Sequence, residues 1–98
     1  MRVRLNDRFE KNPGILYRRM KQESVLLPIH PRKETSRRLY FLEGIGDRIW
    51  ELLDGRRDLS RIAAQIAGEC QVRKEGIEEE IRCFLNELVK EGLARRVS

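Results

Sequence analysis

One change of rhythm constrains this chain more than anything else. Up to Leu42 its apolar residues come in short runs broken by turn signals, and from Gly44 onward they recur at helical spacing. Asn12, Pro13 and Gly14 mark a turn, and residues 1–14 before the first run read as a flexible lead-in. Ile15 to Met20 then reads as a first strand, with Lys21, Gln22 and Glu23 as the hairpin connection. Ser24 to Ile29 is the second strand, and Pro28 confines it to an edge or an end because it lacks an N–H. His30 to Ser36 is polar and holds a proline, which predicts a loop. Arg37 to Leu42 is the third strand, rich in aromatic and apolar residues.

Three helices follow. Ile45, Ile49, Trp50, Leu52 and Leu53 share one face of a helix over 44–53, with Asp54-Gly55 stopping it and Gly55 in the left-handed terminal position. Asp58 or Ser60 caps a second helix, whose apolar positions are Leu59, Ile62, Ala63, Ile66 and Ala67, and Gly68 and the segment after Cys70 end it. The longest helix runs from Lys74 to Glu91 on Ile77, Ile81, Phe84, Leu85, Leu88 and Val89, and stops at Gly92. Leu93, Ala94 and Val97 predict a short terminal strand. The expected fold is α+β and winged-helix-like, a three-stranded antiparallel sheet followed by three helices. At 98 residues, with no internal repeat, the chain is expected to form a single domain over 1–98.

The chemistry-bearing residue types are sparse. His30 is the only histidine, and the two cysteines, Cys70 and Cys83, read as small apolar residues on helices. No metal site or catalytic residue is expected from that set, and no cofactor either. Gly44 and Gly46 make only a G-x-G, too little for a dinucleotide loop, and there is no P-loop. Glu78, Glu79 and Glu80 lie near the start of the third helix, where acids complement the helix dipole. An enzyme is disfavoured. No apolar run approaches the ~20 residues of a membrane span and the N-terminus lacks a secretion signal, so a cytoplasmic address is expected.

Charge separates the remaining options. Residues 1–42 carry 11 basic and 4 acidic side chains, net +7, whereas residues 43–98 carry 10 and 12, net −2. A winged-helix order in a basic chain is one route to nucleic-acid binding. Against it, the third helix holds Lys74, Arg82 and Lys90 against six glutamates, a net charge of −3 that repels phosphate.

From Leu42 through Gly55, in the order Leu-Glu-Gly-Ile-Gly-Asp-Arg-Ile-Trp-Glu-Leu-Leu-Asp-Gly, the sequence resembles the PqqD family, also called the RiPP recognition element. Ser60-Arg61-Ile62-Ala63 is similar to the family's second-helix signature. The stretch from Glu80 to Gly92, with Phe84-Leu85 and Leu88 at its centre, looks like the family's last helix, and Val25-Leu26-Leu27 like its second strand. The resemblance covers about Ile15 to Leu93. It implies a peptide chaperone that binds the leader segment of a ribosomally made precursor and presents it to a modifying enzyme. That enzyme is often a radical SAM protein, as in pyrroloquinoline quinone biosynthesis.

On that resemblance the leader docks as an added strand beside the third strand and over the third helix. Arg37, Arg38, Leu39, Tyr40, Phe41 and Leu42 would form the edge, with Arg38, Tyr40 and Leu42 on one face and Arg37, Leu39 and Phe41 on the other. Ile81, Arg82, Leu85, Leu88 and Val89 would supply the helical wall, and Arg37, Arg38 and Arg82 would meet acidic leader residues. The expected partners are the precursor peptide and the modifying enzyme, with no membrane. The exposed edge also invites pairing of two copies.

Overall fold

The computed structural model describes residues 3–21, 23–28 and 39–97. It contains six strands and three helices: β1 (Arg8–Lys11), β2 (Ile15–Met20), β3 (Glu23–Pro28), β4 (Tyr40–Glu43), α1 (Ile45–Leu52), β5 (Asp54–Asp58), α2 (Leu59–Cys70), α3 (Lys74–Lys90) and β6 (Ala94–Val97). The chain is α+β, with three expected strands forming an antiparallel sheet in the order β2-β3-β4, ahead of the helices. Strand β4 starts at Tyr40, later than expected. The expected loop over His30 to Ser36, together with Ile29, Arg37 and Arg38, lies outside the described residues.

A second antiparallel sheet, in the order β5-β1-β6, had no counterpart in the sequence reading except for its last strand. Its central strand lies within the stretch expected to be a flexible lead-in. Phe9 on β1 is fully buried, Asn12 donates to the Gly92 carbonyl at 2.7 Å, and Arg82 donates to the Val3 carbonyl at 2.9 Å. Backbone N–H groups of Leu59 and Ser60, at the start of α2, donate to the carbonyls of Asp7 and Leu5. The stretch from Val3 is therefore stitched to both ends of the helical region. The reason it escaped notice is physical: β1 carries one apolar side chain, and its partners lie some tens of residues downstream.

Strand β5 replaces the expected stop after α1. Gly55 does adopt a positive φ of 79°, but inside a strand; α1 is closed by an extended Leu53. Between the Arg8–Asp58 and Glu10–Asp54 pairs, β5 has two more residues than β1, and the left-handed Gly55 absorbs that bulge. An added Cβ there meets only ordinary contacts, with Glu10 Cβ at 3.6 Å. Gly55→Ala is accordingly expected to cost about 1 kcal/mol through backbone conformation alone, read as a lowered urea midpoint with an unchanged slope.

Helix α2 takes the first of its two proposed caps: the Asp58 carboxylate accepts from Arg61 N at 2.9 Å. It runs through Gly68 and ends directly after Cys70, at a left-handed Gln71, in the segment expected to end it. The core lies between the helices and the inner faces of both sheets, and includes Phe9, Leu26, Trp50, Ile62, Ile81 and Leu85, all fully buried. Cys70 and Cys83 are on helices as expected, but both are exposed.

Candidate functional site

Strand β4 pairs with β3 through Glu43–Glu23, Leu42–Ser24, Phe41–Val25 and Tyr40–Leu26. Among the described residues no strand pairs with its other side. That leaves a row of backbone donors and acceptors at an edge, which is a template for another extended segment. Alternation along β4 falls as the sequence predicts. Tyr40 and Leu42 turn inward and pack against the core, while Phe41 is 64% exposed and the neighbouring Leu39 52%.

The outward set joins a wider apolar surface. The register stacks Leu16 beside Leu27, and Arg18 beside Val25 and Phe41, so that one face of the sheet presents leucine, valine and phenylalanine in adjoining rows. Met20, Glu23 and Glu43 form a third row, which closes this face with carboxylates.

The structure places most of the residues expected to form the helical wall in the core. Ile81, Leu85 and Leu88 are core, at 0, 0 and 3% exposure. Arg82 faces the N-terminal segment: it donates to the Val3 carbonyl and pairs with Glu79 at 2.5 Å. Val89, seven residues on and so on the same flank, lies half-buried against the core. The flank turned toward β4 is the opposite one. There the Tyr40 hydroxyl donates to Glu91 Oε1 at 2.9 Å, and the Phe84 ring comes within 3.3 Å of where a Cβ on Gly46 would lie. Glu80, Phe84, Glu87 and Glu91 follow the i, i+4, i+7, i+11 line of a single helical stripe, whose Glu91 end meets β4 and whose Phe84 meets the start of α1, just past the end of β4. The available signal was Phe84, an aromatic at the margin of the apolar stripe with acids on either side.

Behind the edge, a polar node ties the sheet to α1. Asp47 is buried, and its carboxylate accepts from Arg19 Nη2 at 2.7 Å, from Arg19 Nε at 3.3 Å and from the Ser24 hydroxyl. Burial pushes this carboxyl upward, but hydrogen bonds from Arg19 and Ser24 outweigh it and hold the group below its ordinary value. Arg19 also reaches Glu51 at 3.0 Å. Farther along α1, Tyr17 meets the Trp50 ring edge-on at 5.5 Å, and Lys11 Nζ sits 5.5 Å over the same ring. Burial lowers the Lys11 pKa, partly offset by Asp54 and Glu51. Among the described residues no group of three or more His, Cys, Asp or Glu could hold a metal ion, and no helix is long and apolar enough to cross a membrane.

A family model, Coenzyme PQQ synthesis protein D (PqqD), matches residues 23–94, most of the chain. The chain belongs to the PqqD family. Within a PqqD-family chain, the matched region begins at β3 and takes in β4, all three helices and the start of β6. The PqqD-family fold is also visible in a solved structure, TbiB1 in complex with the TbiA(beta) leader peptide, which has a TM-score of 0.75 to this chain. Identity is 24%, and the match covers 88% of this chain and 94% of that one. No curated protein sequence matches.

Proposed function

We propose that this PqqD-family chain is a recognition domain, spanning the whole sequence, that binds the leader segment of a ribosomally made precursor peptide as an added strand on β4. The observation that carries the reading is the open side of β4, with the Phe84 flank of α3 standing beside it. The main chain of Leu39, Tyr40, Phe41 and Leu42 supplies the hydrogen bonds, continuing from Arg37 and Arg38. Pockets for alternate side chains supply selectivity. The likeness in fold to a protein solved with a leader peptide supports the same reading. On this reading the domain performs no bond chemistry. It delivers its guest to a separate modifying enzyme, of radical SAM type in pyrroloquinoline quinone or related peptide pathways.

The mechanism is affinity by backbone pairing. Strand addition satisfies the exposed N–H and C=O groups of β4 and costs the ordering of the guest, so the complex gains from a guest that is already extended. The added strand also lengthens the apolar outer face by one row, because its outward side chains continue the line of Leu39 and Phe41.

Leader segments from short precursor genes beside this one, titrated into the isotopically labelled chain, are expected to slow hydrogen exchange at Tyr40 to Glu43. Methylating one peptide amide that faces β4 is expected to weaken binding by about tenfold, the worth of one hydrogen bond. Binding that leaves the β4 amides unprotected would refute the assignment.

A further inference from the structure

The stripe on α3 specifies what kind of guest fits. Glu80 and Glu87 flank Phe84, and Glu91 follows. Among the described residues, none of these three glutamates pairs with a cation. Other acids of the protein are compensated: Glu69 and Glu51 by Arg48, Asp47 by Arg19, Glu79 by Arg82, Glu10 by Arg95. Glu23, Glu43, Asp58 and Glu75 also lack a cation among the described residues, but Glu80, Glu87 and Glu91 are the uncompensated acids that share the Phe84 stripe of α3. Acids alone would define nothing. They become one wall of a site because the side of β4 with which no described strand pairs adjoins their stripe, which Glu91 joins to Tyr40 and Phe84 brings against Gly46.

Resting on the reading of β4 as a strand acceptor, we infer that the bound segment is cationic on its inward side, with an apolar residue toward Phe84 and Lys or Arg two positions before and after it. Spacing supports the pattern. Glu80 and Glu87 are seven residues apart, about 10.5 Å along the helix, and inward residues i and i+4 of a strand are about 13 Å apart. A long Lys or Arg side chain closes that difference. An inward carboxylate would instead sit between like charges, which discriminates against acidic guests.

Three capped heptapeptides test it. The first reads Thr-Lys-Val-Leu-Val-Lys-Thr, which offers Lys, Leu and Lys on one face in either strand direction; the others carry Gln or Glu in place of both lysines. Titrations followed at the β4 amides are expected to show the Lys peptide binding about tenfold more tightly than the Glu peptide at low salt, with the gap narrowing near ~0.5 M salt. The double variant E80K/E87K changes two exposed helix positions. It is expected to melt close to the parent and to prefer the Glu peptide. Equal affinities, tighter binding of the Glu peptide, or an unchanged preference in E80K/E87K would overturn the charge assignment while leaving strand addition intact. Failure of every peptide to perturb the β4 amides at millimolar concentration would overturn both.

Discussion

Replacing Trp50 with alanine is expected to destabilise the protein by about 3–5 kcal/mol, the range for truncating a large buried aromatic. The ring is fully buried and meets side chains of two elements besides its own. It belongs to α1, meets Tyr17 of β2 edge-on, and lies under the Lys11 ammonium of β1, which itself donates to the Leu53 carbonyl at 3.0 Å. Losing it therefore opens a cavity where both sheets approach the first helix. Against a typical stability of about 5–15 kcal/mol, such a loss leaves a marginal fold. Trp50 is the only tryptophan, so urea unfolding of the variant must be followed by circular dichroism rather than by indole fluorescence. Trp50→Phe is the informative companion. The indole Nε1 is buried with no acceptor among the described residues, so phenylalanine keeps most of the apolar burial and removes an unsatisfied donor. It is expected to cost about 1 kcal/mol. A loss as large as that of alanine would mean that the ring's shape, rather than its burial, dominates.

Asp47→Ala is the second large effect, at about 2–3 kcal/mol, because it strands the buried Ser24 hydroxyl and removes the main partner of Arg19. The same carboxylate gives a pH signature. Its folded pKa lies below the ordinary value of 3.8. Its contribution is thus fully present above that value and is lost as pH falls through the lower, folded one. The stability difference between the parent and Asp47→Asn is expected to be constant from about pH 7 to 5 and to shrink below about pH 4. A difference that grows on acidification would contradict the depressed pKa. Because Ser24 sits opposite Leu42 in the register, this node also anchors the strand that carries β4.

Local rhythm in the sequence revealed the elements whose own residues define them. Ile15–Met20, an apolar-led run set between two turn signals, is a strand; Lys74 opens the long helix, and Asp58 caps the one before it. The elements it hid are those made by pairing at a distance. Arg8–Lys11 and Asp54–Asp58 are dominated by charged residues, and their strand character comes from each other and from β6. Asp47 was hidden for a related reason. An acid in the first turn of a helix is ordinarily explained by the dipole, and only the fold reveals that Arg19 and Ser24 converge on it.

The site divides along the same line. In the strand, the sequence shows which side chains turn inward because β4 alternates, with Tyr40 and Leu42 inward and Phe41 outward. The helix was not legible in this way. Periodicity picks out the stripe through Ile81, Leu85 and Leu88, and in a chain this small that stripe is consumed by the core. On the function proposed above, a guest is left the adjoining flank, and nothing in the spacing says which of the two flanks meets the strand. The Tyr40–Glu91 hydrogen bond and the Phe84–Gly46 approach decide it.

Strand β1 carries a practical lesson for anyone trimming this molecule. A fragment cut to residues 23–94 would keep every helix yet delete the plank that lies between β5 and β6, along with the hairpin partner of β3. With β6 also cut back to Ala94, an orphaned β5 and a bare flank of β3 would then compete for any extended chain nearby, and a binding assay on that fragment would report this stickiness on top of any pairing at β4.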